Sequence, residues 1–287
     1  MNRFEHRRVL TNGIELHVAQ TGPSDGPLAL LLHGFPETWL AWQSQIANLV
    51  DMGFRVWLPD QRGYNTSDKP HGVSAYRMES LCADIAGLIA ASGRARVTLM
   101  GHDWGGLVAW TLAATQPHAI ERVVIVNAPH ISAMHEALRS NLSQIARSWY
   151  AAFFQVPRLP AYLLRLGDYR ALRLTLKATS RPGTFDRLMP DYVDAWRQPG
   201  ALTAMLNWYR ALTREQFTST AEKVRVPLLL LWGAKDFALT RAVAEDSMRY
   251  CENGRLSYIE SAGHWVLHEA PDQVNERIAE FLLEPAT

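Results

Sequence analysis

Five short, almost unbroken apolar runs constrain this chain more than any other feature: Leu28–Leu32, Arg55–Pro59, Val97–Met100, Val123–Val126 and Leu228–Trp232. A strand with one wet face alternates in polarity, whereas a continuous apolar run followed at once by a turn belongs to a parallel strand covered on both faces. Between these runs, apolar residues recur at three and four positions over 41–50, 78–91, 107–115 and 273–283, the spacing of helices with one buried stripe. Strand alternating with helix predicts an α/β fold with a mostly parallel central sheet and helices on both faces. Near the start, Arg8–Leu10 and Ile14–Ala19 flank Thr11-Asn12-Gly13, and an Asn-Gly pair is the turn of a tight hairpin. Antiparallel strands are expected at one sheet edge.

From about Ile131 to Thr218 the strand-like runs stop, and the text turns aromatic and arginine-rich with several proline breaks. Because Leu228–Trp232 then resumes the pattern, residues 131–218 read as a helical insertion dividing a core of 1–130 and 219–287. Pockets form at such junctions. The segment 131–217 carries 12 Lys plus Arg against 6 Asp plus Glu, a balance of +6, leaving 17 − 22 = −5 elsewhere. Within it Arg165, Arg170, Arg173 and Lys177 include helical neighbour spacings, which fit a solvated face, a subunit contact or attraction of anionic substrates.

The whole chain balances at 29 − 28 = +1, so nucleic acid is not expected as a partner. Cys82 and Cys251 stand far apart, as for two buried thiols in a reducing compartment, and the expected location is the cytoplasm. Met1 to Gln20 has no apolar stretch of the kind an export signal requires. No window reaches 18 consecutive apolar residues, so no membrane span is expected. Oligomeric state is not legible, and a homodimer stays among the options.

Met100-Gly101-His102-Asp103-Trp104-Gly105-Gly106 follows one strand and opens a helix. Glycines two before and two after Asp103 reproduce a nucleophile elbow with aspartate in the place of serine. Taken alone, such a loop also suits phosphate binding or a plain strand end. Three further segments give it a chemical context. His33-Gly34-Phe35-Pro36 follows the first parallel strand, where the Phe35 N–H can join the Trp104 N–H as an oxyanion hole. Asp236 lies just beyond Leu228–Trp232, and Gly263-His264-Trp265 comes later. Nucleophile, acid, histidine is the chain order of α/β-hydrolases. Asp236 as a helix cap and His264 as a buried structural imidazole are the plainer alternatives. The histidines show no H-E-x-x-H or cysteine spacing, so neither a metal nor another cofactor is expected.

Over essentially its full length the chain resembles the α/β-hydrolase superfamily and, within it, the epoxide hydrolase branch. The resemblance rests on His33-Gly34-Phe35-Pro36-Glu37, Asp60-Gln61-Arg62-Gly63-Tyr64, Gly101 to Gly106, Trp232-Gly233 with Asp236, and Gly263-His264-Trp265. Haloalkane dehalogenases share these. Inside the insertion, Ser148-Trp149-Tyr150 with Phe153-Phe154-Gln155, and Asn207-Trp208-Tyr209-Arg210, resemble the two cap segments whose tyrosines hold the epoxide oxygen. The resemblance implies Tyr150 and Tyr209 as proton donors, with Tyr162, Tyr169 and Tyr192 as competing cap tyrosines. It also implies a pocket wall that includes His33, Pro36, Trp149, Phe154, Trp208 and Trp265. Asn65 departs from the family's usual glycine, though asparagine tolerates left-handed backbone.

These groups form a coherent chemistry. An aspartate of ordinary pKa about 3.9 is already ionised at neutral pH and attacks without a base. The departing epoxide oxygen needs a donor such as a phenol, and the resulting ester needs a base for water, which His264 supplies with Asp236 behind it. The expected substrates are a small-molecule epoxide and water, and the product is a vicinal diol. A haloalkane dehalogenase would use the same Asp103 but hold a halide with Trp104 and an indole such as Trp149 or Trp208. A binding protein on a hydrolase scaffold is the non-catalytic alternative.

Overall fold

The computed structural model describes residues 4–212 and 223–284. Its sheet holds eight strands: β1 Glu5–Thr11, β2 Ile14–Thr21, β3 Leu28–Leu32, β4 Arg55–Pro59, β5 Val97–His102, β6 Ile120–Val126, β7 Leu228–Gly233 and β8 Gly254–Ile259. Their order across the sheet is β1-β2-β4-β3-β5-β6-β7-β8. The β1–β2 and β2–β4 pairs are antiparallel and the rest are parallel. Asn12 and Gly13 both take positive φ, 46° and 75°, the geometry a two-residue hairpin turn requires. Every residue of β3, β5 and β7 is buried, as expected where helices cover both faces. β1 is mostly exposed and charged, which discourages further strand pairing at that edge. β8 falls outside the five apolar runs because only its last residue is fully buried.

Helices α1 Gln43–Asp51, α2 Met78–Ala91 and α3 Trp104–Thr115 precede β6. Between β6 and β7 the chain is helical: α4 Ile131–Ser140, α5 Leu142–Arg147, α6 Trp149–Phe153, α7 Leu159–Ala178, α8 Met189–Arg197 and α9 Ala201–Leu212. Residues 213–218 of the expected insertion lie outside the described residues. Helices α10 Arg241–Ser247, α11 Val266–Glu269 and α12 Pro271–Leu283 complete the chain. Two apolar cores flank the sheet, one shared with α2 to α4 and α6 to α10, the other with α1, α11 and α12. Cys82 is buried, but Cys251 is only half-buried, which corrects the expectation of two interior thiols. No described helix is long and apolar enough to cross a membrane.

Candidate active site

Asp103 sits between β5 and α3 at φ 50° and ψ −120°, a left-handed backbone that costs a non-glycine residue of order 1 to 3 kcal/mol and persists only where its surroundings enforce it. The surroundings are close-packed backbone. A Cβ on Gly101 would overlap the Gly105 carbonyl, and one on Gly105 would overlap Leu32. The turn thrusts the carboxylate out of the sheet, where Asp103 Oδ1 accepts a hydrogen bond from the Phe35 N–H at 2.7 Å. Trp104 is the first residue of α3, so its N–H lies among those without a partner in the helix. Asp103 Oδ2 stands 3.6 Å from His264 Nε2.

On its other side His264 donates from Nδ1 to Asp236 Oδ2 at 2.7 Å. Asp236 is held from four directions: the same Oδ2 accepts from Asn127 Nδ2 at 2.7 Å, and Oδ1 accepts from the N–H groups of Ala238 and Leu239 at 2.7 and 2.9 Å. Asn127 is fixed in turn by accepting the Gly233 N–H at 2.8 Å. Burial disfavours the charged Asp236, but the His264 charge and these donors outweigh it and hold the carboxyl below its ordinary value. For His264, burial alone would lower the pKa, yet the flanking carboxylates of Asp236 and Asp103 push it up to about 10.

Two cavities meet at this pair, one of about 170 Å³ and one of about 700 Å³. Asp103, His264, Tyr150 and Tyr209 line both. Tyr150 comes from α6 and Tyr209 from α9, with ring centroids 6.0 Å apart. Burial first, and the Asp103 charge second, raise both phenols above their ordinary value, so both remain proton donors at any physiological pH. The competing tyrosines are placed elsewhere. Tyr162 is 62% exposed, Tyr169 donates to the Trp196 carbonyl at 2.9 Å, and Tyr192 donates to Glu37 Oε1 at 2.8 Å.

A family profile for the alpha/beta hydrolase fold matches residues 27–271. "AB hydrolase superfamily protein YfhM" of Bacillus subtilis (strain 168) is 46% identical, with 96% of each chain covered. "Epoxide hydrolase 3" of Xenopus tropicalis is 37% identical over 96% of this chain and 77% of its own. The crystal structure of Bacillus megaterium epoxide hydrolase in complex with an inhibitor superposes with a TM-score of 0.88 at 28% identity, covering 97% of this chain and all of the other. The chain belongs to the alpha/beta hydrolase superfamily, in its epoxide hydrolase branch.

Among the wall residues expected for this alpha/beta hydrolase, Pro36, Trp149, Phe154 and Trp265 line the larger cavity together with Phe35. His33 and Trp208 do not line either cavity, which corrects their assignment. His33 is fully buried and donates from Nδ1 to the Gly34 carbonyl at 3.0 Å, while its Nε2 accepts from the Gln61 N–H at 3.1 Å. Its imidazole therefore braces the Phe35 loop. Trp208 is turned away, donating to the Arg62 carbonyl at 3.0 Å behind the Trp104 ring. Asn65 takes φ 43°, retaining the turn glycine would make.

Sequence reasoning missed the role of Glu37. Its carboxylate is fully buried, accepting from Tyr192 of α8 at 2.8 Å and from His268 Nε2 at 2.7 Å, and lies 3.3 Å from His102 Nδ1. His102 then donates to the backbone carbonyl of His264 at 2.9 Å. Burial pushes Glu37 toward the neutral acid, but the neighbouring His268 and His102 outweigh it and hold the carboxyl far below its ordinary value. One buried anion thus links the Phe35 loop, the elbow, the histidine loop and α8. Its place in His33-Gly34-Phe35-Pro36-Glu37 was the available signal.

Proposed function

We infer that this chain is an epoxide hydrolase working through an aspartyl ester, with residues 131–218 as a cap over the site. The observation that carries the reading is the Asp103–His264–Asp236 set facing two cap phenols across shared cavities. Asp103 Oδ2 attacks an oxirane carbon; the C–O bond breaks and its electron pair takes the proton of Tyr150 or Tyr209. A positioned acid of this kind contributes about 10²- to 10⁴-fold. Esterification removes the Asp103 charge, one of the groups that raise the His264 pKa. His264 therefore loses affinity for its proton once the ester forms, passes it to the phenolate, and becomes a base. It deprotonates water, hydroxide adds to the ester carbonyl, and the Phe35 and Trp104 N–H groups receive the developing oxyanion. On collapse the proton of the added hydroxyl passes to the departing oxygen, releasing a vicinal diol and the Asp103 carboxylate, while His264 keeps the proton taken from water and is back in its starting state.

The dehalogenase alternative loses support from the indoles. The Trp208 N–H is already bound to a carbonyl, and Trp149 is 67% exposed, leaving neither as a buried halide donor. We place the protein in a reducing cytoplasm, because neither Cys82 nor Cys251 is in a disulfide. The deciding experiment is trapping. In His264→Gln, styrene oxide is expected to add its whole mass to the peptide bearing Asp103, and an unmodified peptide after oxirane consumption would overturn the covalent scheme. Halide release without any diol formation by the unaltered protein would overturn the choice of substrate.

A further inference from the structure

Ten of the thirteen large apolar side chains left exposed among the described residues fall within 138–174. They are ordered. On the first half of α7, Leu159, Tyr162, Leu163 and Leu166 occupy positions i, i+3, i+4 and i+7, with exposures of 46, 62, 39 and 47%. That is the stripe a helix ordinarily buries, and here it faces out. The helix breaks directly after it, where Gly167, Asp168 and Tyr169 take positive φ. Leu142 and Ile145 of α5, followed by Trp149 at the start of α6, form a second stripe exposed by 82, 41 and 67%. Trp149 and Leu163 also line the 700 Å³ cavity, so both stripes border that one cavity.

The charge around these stripes has one sign. Residues 138–174 hold six arginines and a single acid, Asp168, which is already paired with Arg197 at 2.7 Å. Among the described residues no carboxylate lies in ion-pair range of Arg158, Arg165 or Arg170. Exposed Leu, Trp and Tyr side chains interleaved with arginine are the composition of surfaces that lie in the interfacial layer of a bilayer, and clustered cations select anionic headgroups.

We propose that the face made by α5, α6 and the first half of α7 seats the protein on an anionic lipid bilayer, with the 700 Å³ cavity bordering the contact. Apolar epoxides dissolved in the bilayer then reach Asp103 past Trp149 without crossing water. This last part rests on the epoxide hydrolase reading; the docking itself does not. The alternative occupant is a second copy of the chain.

The test is co-sedimentation of the full chain with vesicles of phosphatidylcholine containing one-third phosphatidylglycerol, and with phosphatidylcholine alone. Binding to the anionic vesicles is expected, weaker by about tenfold on the neutral ones and in about 0.5 M salt. The triple variant Leu142→Ser, Tyr162→Ser, Leu166→Ser is expected to lose at least about tenfold in partitioning, as is Arg158→Gln, Arg165→Gln, Arg170→Gln. Both variants should turn over styrene oxide as the parent does. Protein left in the supernatant with anionic vesicles, or variants that bind like the parent, overturns the proposal. A dimer in sedimentation velocity that the apolar triple variant dissociates assigns the face to a second copy and overturns it too. Absence of styrene oxide turnover in the parent, with vesicle binding intact, defeats the catalytic reading alone.

Discussion

A methyl group added at position 34 would fall on the side chain of Asp103, so the carboxylate and the Phe35 N–H cannot keep their 2.7 Å contact in its presence. Gly34→Ala is expected to lower turnover by about 100-fold or more, on the scale of a lost oxyanion donor. Overpacking should cost only about 1 to 3 kcal/mol of stability. Product assay beside a urea melt checks this, and full activity in the variant would contradict the packing argument. His264 makes a second case. Its folded pKa, about 10, lies above the ordinary 6.5, so the stability its charge contributes is complete below about 6.5, declines as pH rises, and is gone above about 10. The urea midpoint difference between the parent and His264→Gln should therefore be smaller at pH about 10 than at pH about 6. A difference that grew with pH would reverse the assignment.

Among the elements, α8 is tied to the core through a charge. Tyr192 and Trp196, one turn apart on α8, donate to Glu37 Oε1 at 2.8 Å and to the Pro36 carbonyl at 2.6 Å. Glu37→Gln replaces the anion that His268 and His102 face with a neutral amide, and hydrogen bonds to a charged acceptor contribute about 1.5 to 3 kcal/mol. Tyr192→Phe, which deletes one donor, should cost about 1 kcal/mol. Chemical denaturation separates the two, and equal small losses would mean that Glu37 is a plain hydrogen-bond acceptor. How legible the elements were followed burial. Strands β3, β4 and β7 and helix α2 could be read directly because each repeats one local pattern. β8 was missed because an edge strand with a half-wet surface carries no apolar run. The helical character of 131–212 could be read as an interruption of strand pattern, but the outward stripe on α7 could not, since periodicity does not say which way a face turns.

Across the whole molecule the Asp103–His264 pair is shared by two spaces, one of about 170 Å³ and one of about 700 Å³. Epoxides with one short and one long substituent should therefore be preferred. Lengthening the short arm beyond what the smaller side holds should reduce kcat/KM by about 10- to 200-fold, the range that misfit of a methylene or two produces in apolar pockets. A panel of disubstituted oxiranes with arms varied independently checks it; a flat response to short-arm length would show that the smaller space is not used. The chain order Asp103, Asp236, His264 and the glycines around the elbow were written in local text, because a strained turn and a strand end leave their marks on neighbouring residues. The position of Tyr150, rather than Tyr162, Tyr169 or Tyr192, on the wall of both cavities, the removal of Trp208 and His33 from that wall, and the joining of Glu37 to His102 and His268 were not. Those contacts join residues from distant parts of the chain or depend on which way a side chain turns, and direction and distance in space are set only when helices pack on the sheet.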